Sequence, residues 1–137
     1  MIVIVDYGVG NLHSVSKAME KVGAKAAVSS DAAAVAAADR LILPGVGSFG
    51  HCMKNLLEYG LAETVRDYAR SGRPFLGICV GMQILFDGSE ESPGTAGLGI
   101  LPGMVNKLPD RGLKIPQIGW NSLDFCAENP LFRGLPA

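Results

Sequence analysis

Short continuous apolar runs alternate along this chain with stretches whose apolar residues recur at helical spacing. Ile2-Val3-Ile4-Val5 is the first run. It is β-branched and does not alternate with polar residues, as a strand buried on both faces of a parallel sheet would read. The run ends in a glycine-rich turn, Asp6-Tyr7-Gly8-Val9-Gly10-Asn11. The spacing then predicts a helix from about Leu12 to Val22, with Val15, Ala18, Met19 and Val22 on one face and Gly23 as its C′ residue. Lys25 to Ser29 reads as a second strand, and the alanine-rich stretch from Asp31 to Ala38 as a short helix capped by Asp31. Leu41-Ile42-Leu43 is a third strand, broken by Pro44-Gly45. Two helical segments are expected between Gly47 and Arg70, separated near Gly60. The strand Phe75 to Ile78 and a helix from Val80 to about Phe86 come next.

Strands alternating with helices over short connections imply an α/β protein with a parallel sheet covered on both faces. Reactive groups in such sheets gather at the carboxyl ends of the strands. Asp6-Tyr7-Gly8, Pro44-Gly45-Val46-Gly47 and Cys79 all fall at such ends. The pattern changes at Gly88. A polar loop is expected from Gly88 to Thr95, then short extended pieces around Gly99-Ile100-Leu101 and Met104-Val105. Leu113 to Leu123, with Pro116 and Gly119, reads as extended edge or loop structure. The final stretch from Leu131 to Ala137 adds no last helix, so the sheet is expected to keep an uncovered edge. Internal repeats and low-complexity linkers are absent from the pattern.

Composition narrows the function classes. A chain of 137 residues fits a single domain, residues 1–137, with a real core. With 48% hydrophobic and 18% charged residues it reads as folded rather than disordered. A formal charge of −1 without a Lys/Arg stripe excludes the electrostatic footprint of a nucleic-acid binder. No apolar run is long enough for a membrane span, and no basic leader precedes the first strand. Three cysteines, Cys52, Cys79 and Cys126, lack metal-type spacing and point to a reduced cytoplasmic setting rather than a disulfide scaffold. Neither a metal nor another cofactor is expected.

Gly77-Ile78-Cys79-Val80-Gly81 has the form of a nucleophile elbow with cysteine in place of serine. Flanking glycines leave room for a sharp strand-to-helix turn. The following helix aims its positive end at the sulfur, and the Val80 N–H is free for a developing oxyanion. A buried structural cysteine is the competing reading. Pro44-Gly45-Val46-Gly47 reads either as a plain strand-to-helix turn or, beside the elbow, as the second half of an oxyanion hole, offering N–H groups at Val46 or Gly47. Gly8-Val9-Gly10-Asn11 lacks the third glycine of a dinucleotide fingerprint and the acidic ribose ligand that follows it. His13 and His51 read as surface or helix residues, and no histidine follows Cys79.

Leu43-Pro44-Gly45-Val46-Gly47-Ser48-Phe49-Gly50, the Gly77-to-Gln83 elbow, Ser89-Glu90-Glu91, Gly97-Leu98-Gly99 and Ile115-Pro116-Gln117-Ile118-Gly119-Trp120-Asn121 occur in one order. This series, from Val5 to about Leu131, resembles the glutamine amidotransferase subunits of imidazole glycerol phosphate synthases, from histidine biosynthesis. The elbow alone marks class I amidotransferases. Asp6-Tyr7-Gly8 with Gly10-Asn11, the Pro44-to-Gly47 turn and Gly119-Trp120-Asn121 narrow the resemblance to this subunit.

The resemblance implies a flavodoxin-like, three-layer class I amidotransferase domain. It implies that Cys79 attacks the side-chain amide of L-glutamine, forming a glutamyl thioester and releasing ammonia, with Val46 and Val80 as oxyanion-hole amides. Gly47, Gln83 and Glu90 would hold the glutamine, with Glu91 the alternative to Glu90. The competing readings are a solvated helix residue for Gln83 and a solvated acidic loop for the glutamates. Asn11, Trp120 and Asn121 would face the partner, a (β/α)₈-barrel synthase (cyclase) subunit. In that heterodimer the barrel uses the ammonia to form imidazole glycerol phosphate and the aminoimidazole carboxamide ribotide. A core aromatic is the competing reading for Trp120.

Two departures from the family pattern stand out. Gln117 replaces a frequent, non-catalytic histidine. The family's His-Pro-Glu motif, which carries the base, is missing from these 137 residues. The chain is therefore expected to be the N-terminal part of a glutaminase, inactive alone. The alternatives are a non-catalytic module that binds the barrel as a scaffold, and a related class I amidotransferase such as the pyridoxal phosphate synthase glutaminase.

Overall fold

The computed structural model describes residues 1–124, 126, 127 and 129–134. The end of the last segment read from the sequence, residues 135–137, lies outside the described residues. Two compact units divide the chain, Met1–Lys107 and Leu108–Ala137.

The first unit is built on four parallel strands, β1 (Ile2–Val5), β2 (Ala26–Ser29), β3 (Arg40–Gly45) and β4 (Phe75–Cys79), in the order β2-β1-β3-β4. The helices between them are α1 (Leu12–Lys21), α2 (Ala32–Ala36), α3 (Phe49–Glu58) and α4 (Ala62–Arg70). A four-residue helix, α5 (Val80–Gln83), leaves β4 directly. Strand alternation sorts the core. Val3, Val5, Leu41 and Leu43 face one side and pack with Val35, Phe49, Met53, Leu56, Val65 and Tyr68 from α2, α3 and α4. On that side these four strand residues are buried.

The opposite face is covered only in part. Register places Val28, Ile4, Ile42 and Leu76 in one row across the sheet. Ile4 and Ile42 are buried, but the ends of the row, Val28 and Leu76, are exposed. The helix on this side is α1, lying over β1 and β2, and none of its residues is buried. Of the face expected for α1, Val15 and Met19 are half-buried while Ala18 and Val22 are exposed. Helices thus lie on both faces as expected, but the cover on this second face is partial.

Local signals set most boundaries. Asn11 caps α1 by accepting from the Ser14 N–H, and Asp31 caps α2 by accepting from the Ala33 N–H. Helix α1 stops in a Schellman turn: Gly23, at φ +76, donates to Glu20 O and Ala24 donates to Met19 O. Two elements differ from the sequence reading. Pro44-Gly45 does not break β3, because Pro44 pairs with Ile78 and Gly45 with Cys79. Pairing to β1 ends at Ile42, so Pro44 lies where only one neighbour strand remains and a missing N–H is tolerated. Helix α5 ends at Gln83 instead of near Phe86, since Leu85 and Phe86 donate to Met82 O and Gln83 O in tighter turns.

The polar segment after Gly88 is not a free loop. Gly88–Ser89 (β5) pairs in parallel with Met104–Val105 (β6), and Ser89 is buried. In the second unit no strand is formed among the described residues, and a 3₁₀ turn spans Pro130–Phe132. Leu113 to Leu123 is irregular and almost wholly exposed, the loop alternative of its reading.

Candidate active site

The carboxyl ends of β1, β3 and β4 meet at one edge, as their sequences predict. Tyr7, just past β1, donates its hydroxyl to Pro44 O at 2.6 Å. Gly10 packs on the Pro44 ring, where an added Cβ would lie 3.1 Å from the proline side chain. Gly45 lies opposite Cys79 in the β3–β4 register.

Cys79 is strained. Its backbone adopts φ 56 and ψ −122, and it is the single non-glycine residue with positive φ among the described residues. A β-carbon in that region costs on the order of 1–3 kcal/mol and persists only where the surroundings over-determine it. Here close backbone packing does so. A Cβ on Gly81 would stand 2.0 Å from Leu43 O, one on Gly45 would stand 2.4 Å from Gly81 N, and one on Gly77 would stand 2.6 Å from Met82 Cα. Three glycines let α5 fold down onto the end of β3, and the turn this forces lifts Cys79 out of the sheet to an exposed position. The buried-cysteine reading is thereby ruled out for Cys79; it applies to Cys52.

The donors expected for an oxyanion lie around the turn. Val80 opens α5 and so has no intrahelical acceptor for its N–H. Neither the Val46 nor the Gly47 N–H donates to another group among the described residues. Gly47 takes φ +85, and Val46 is half exposed. Helix α5 is one turn long, so the dipole support expected for the sulfur comes from a single turn of peptides rather than a full helix.

Beyond this turn, the N-terminus of α3 is closed by its own cap, Ser48, and by side chains from the segment after Gly88. Ser48 Oγ accepts from the His51 N–H, Glu91 Oε2 from Phe49 at 3.0 Å, and Ser92 Oγ from Gly50 at 3.0 Å. Glu90, exposed, accepts from the Lys107 N–H. Gln83 is half-buried on α5, one turn after Cys79. His13 and His51 are exposed on α1 and α3; the latter's Nε2 lies 3.3 Å from Asn55 Nδ2, and neither hydrogen-bonds Cys79. Asn11 is exposed in the first unit, apart from its capping bond. In the second unit Trp120 is fully exposed, at 104%, and Asn121 is exposed beside it, so the core-aromatic reading of Trp120 does not hold.

Sequence reasoning did not find the side chains behind the Pro44–Gly47 turn. Besides Tyr7, Cys52 of α3 places its Sγ 3.4 Å from Val46 O. Burial, and then the neighbouring Cys52, push the Tyr7 hydroxyl well above its usual range, and burial pushes the Cys52 thiol up. Both are therefore neutral donors. Nor did sequence reasoning find that Glu91 and Ser92 cap α3. Such pairings across 42 residues leave no local spacing to read.

Residues 3–136 match the family model described as glutamine amidotransferase class-I. The chain belongs to that family. Among curated relatives, it is 57% identical to the imidazole glycerol phosphate synthase subunit HisH of Symbiobacterium thermophilum, over 98% of this chain and 63% of that protein. It is 51% identical to the subunit of the same name from Syntrophotalea carbinolica, over 98% of this chain and 68% of that one. The Aquifex aeolicus subunit is 52% identical over 97% and 64% respectively. The chain thus spans about two thirds of the length of these relatives. A solved crystal structure of a glutamine amidotransferase superposes with a TM-score of 0.66 at 25% identity, over 78% of this chain and 57% of that one. The α/β class I amidotransferase fold read from the sequence agrees with the family match and with the solved structure.

Proposed function

We propose that this chain is the nucleophile-bearing part of a glutaminase that supplies ammonia to an imidazole glycerol phosphate synthase. The observation that carries this reading is the strained Cys79 at φ 56 and ψ −122, exposed between close-packed glycines at the meeting of three strand ends. The Cys79 sulfur attacks the δ-carbon of L-glutamine. The carbonyl oxygen takes the negative charge and is held by the N–H groups of Val80 and of Val46 or Gly47. Collapse of this intermediate expels ammonia and leaves a glutamyl thioester, which water cleaves to glutamate. Gln83, Gly47 and Glu90 hold the substrate; Glu91, already closing the end of α3, is the alternative carboxylate.

Protonating the departing ammonia requires a general acid and base. Neither histidine of this sequence hydrogen-bonds Cys79, so the 137-residue chain by itself is expected to release no ammonia. Coverage of about two thirds of the relatives' length supports reading residues 1–137 as the N-terminal part of the amidotransferase domain. The ammonia passes to a (β/α)₈-barrel synthase subunit in a heterodimer, docked through Asn11, Trp120 and Asn121. Full exposure of Trp120 supports its role as an anchor. The relatives' names support the histidine-pathway assignment over a pyridoxal phosphate synthase glutaminase. We place the protein in the cytoplasm. Among the described residues no helix is long and apolar enough to cross a membrane.

The test is site-selective alkylation by a chloroketone analogue of glutamine. Cys79 should react and L-glutamine should protect it, while Cys126, also exposed, should react slowly and without protection. Equal labelling of Cys79 and Cys126, unaffected by glutamine, would overturn the reading.

A further inference from the structure

We propose that Tyr7 and Cys52 are positioning residues that set the orientation of the Pro44–Gly47 turn, and with it the backbone N–H groups offered to an oxyanion beside Cys79. The proposal rests on the glutaminase reading and deepens it. Both side chains are fully buried, and each directs its single polar hydrogen to a carbonyl of the turn: Tyr7 to Pro44 O at 2.6 Å, Cys52 to Val46 O at 3.4 Å. A trans peptide is planar, with its C=O and N–H on opposite sides. Holding the Val46 carbonyl toward the core therefore turns the Gly47 N–H the other way, while the Tyr7 bond to Pro44 O holds the end of β3 from which the turn leaves.

Past Gly45 little else fixes this turn. Val46 and Gly47 lie beyond the last β3–β4 pair, their N–H groups have no partner among the described residues, and peptides next to glycine reorient at low cost. A buried carbonyl that loses its donor is destabilised until it finds another or turns to water. Removing the Cys52 hydrogen thus frees the peptide that carries the Gly47 N–H, and removing the Tyr7 hydrogen loosens the strand end that leads into it. The two groups are adjacent enough to influence each other's ionisation, and burial keeps both protonated and able to donate.

The test uses the whole 137-residue chain with Cys52→Ala, Cys52→Ser and Tyr7→Phe. The covalent probe is the γ-nitrile analogue of L-glutamine. The Cys79 sulfur bonds to the nitrile carbon, one π pair moves to nitrogen and takes up the thiol proton, and nothing leaves, so neither a leaving group nor an external base is needed. The Gly47 amide resonance and its hydrogen exchange report the turn directly. Cys52→Ala and Tyr7→Phe should weaken nitrile binding about tenfold, the scale of one buried hydrogen bond, and shift the Gly47 resonance. Affinity for L-glutamine itself should stay within about twofold, because the neutral amide makes less use of the oxyanion donors. Cys52→Ser, which keeps a donor, should restore both signals.

Folded variants with an unchanged Gly47 amide and unchanged nitrile affinity would overturn the proposal. So would a serine variant as impaired as alanine, which would mark a packing role. Should Cys52→Ala fail to fold, the nearly isosteric Tyr7→Phe decides the matter. If wild-type Cys79 forms no nitrile adduct, the glutaminase reading fails, while the Gly47 resonance still tests the positioning.

Discussion

Gly81 lies so close to Leu43 that a β-carbon on it would stand 2.0 Å from the Leu43 carbonyl oxygen. The colliding atom is backbone in the centre of the sheet, so no side chain can swing aside to relieve it. Gly81→Ala must push α5 off β3 and take the Cys79 turn with it. We expect a loss of about 3 kcal/mol or more, at the upper end for overpacked cores. Gly23→Ala offers a contrast, since a Cβ there meets nothing within 4 Å. Its cost comes only from φ +76 and should be near 1 kcal/mol. Urea unfolding of the two variants checks the order, and equal losses would mean that the elbow is not closely packed.

Cys79→Gly should stabilise the chain. Glycine adopts positive φ without the Cβ conflict that cysteine carries at φ 56, and the site is exposed, so little packing is lost. A gain of roughly 1 kcal/mol is expected, after the entropy that glycine adds to the unfolded state is subtracted from the relieved strain. A lower urea midpoint than wild type would show that the turn is not strained. Together with loss of nitrile binding, a raised midpoint would mark Cys79 as a residue held for chemistry at the expense of stability.

What the sequence made legible follows from how local each signal is. The run Ile2-Val3-Ile4-Val5, the capping residue Asp31, and Gly23 as helix terminator each act within a few residues, and each falls where its spacing puts it. The Cys79 elbow was legible for the same reason, because its glycines are two residues away on either side. Pro44-Gly45 misled as a strand breaker because tolerance of proline depends on how far the neighbour strand β1 extends. Tyr7, Cys52 and Glu91 were invisible as partners of the Pro44–Gly50 segment. Tyr7 and Glu91 meet it across the sheet edge and from another loop, and the Cys52 contact depends on where the Val46 carbonyl turns.

The neighbouring glutamates should separate by stability. Glu91 accepts from the first N–H of α3, whose own first turn carries no acidic residue, whereas Glu90 holds Lys107 on an exposed segment. Glu91→Ala should cost about 1 kcal/mol, as loss of a capping group does. Glu90→Ala should cost a few tenths, as exposed polar pairs do. Thermal melts of both variants at low ionic strength check this. The reverse order would show that Glu91 does not hold the helix end and leave it free for another role.

The chain should lose stability in alkali earlier than its surface groups alone would cause. Burial raises the Cys52 thiol above its usual 9.0 and the Tyr7 hydroxyl above its usual 10.0. In the unfolded chain both titrate near those ordinary values. Between the ordinary and the raised value, the unfolded state has released a proton that the folded state keeps. The unfolded state then binds fewer protons, so stability falls as pH rises. The contribution is complete below about pH 8.5, and each group then removes up to about 1.4 kcal/mol per pH unit. Cys52 acts first and Tyr7 about one unit later. In Cys52→Ala the earlier step vanishes, so the stability gap between wild type and variant should narrow as pH rises from about 9 to 10, by the same roughly 1 kcal/mol per unit. Urea midpoints under reducing conditions at a series of pH values would measure it. Parallel curves for the two proteins would show that the Cys52 thiol ionises as readily folded as unfolded, and that it does not remain a donor to the Val46 carbonyl.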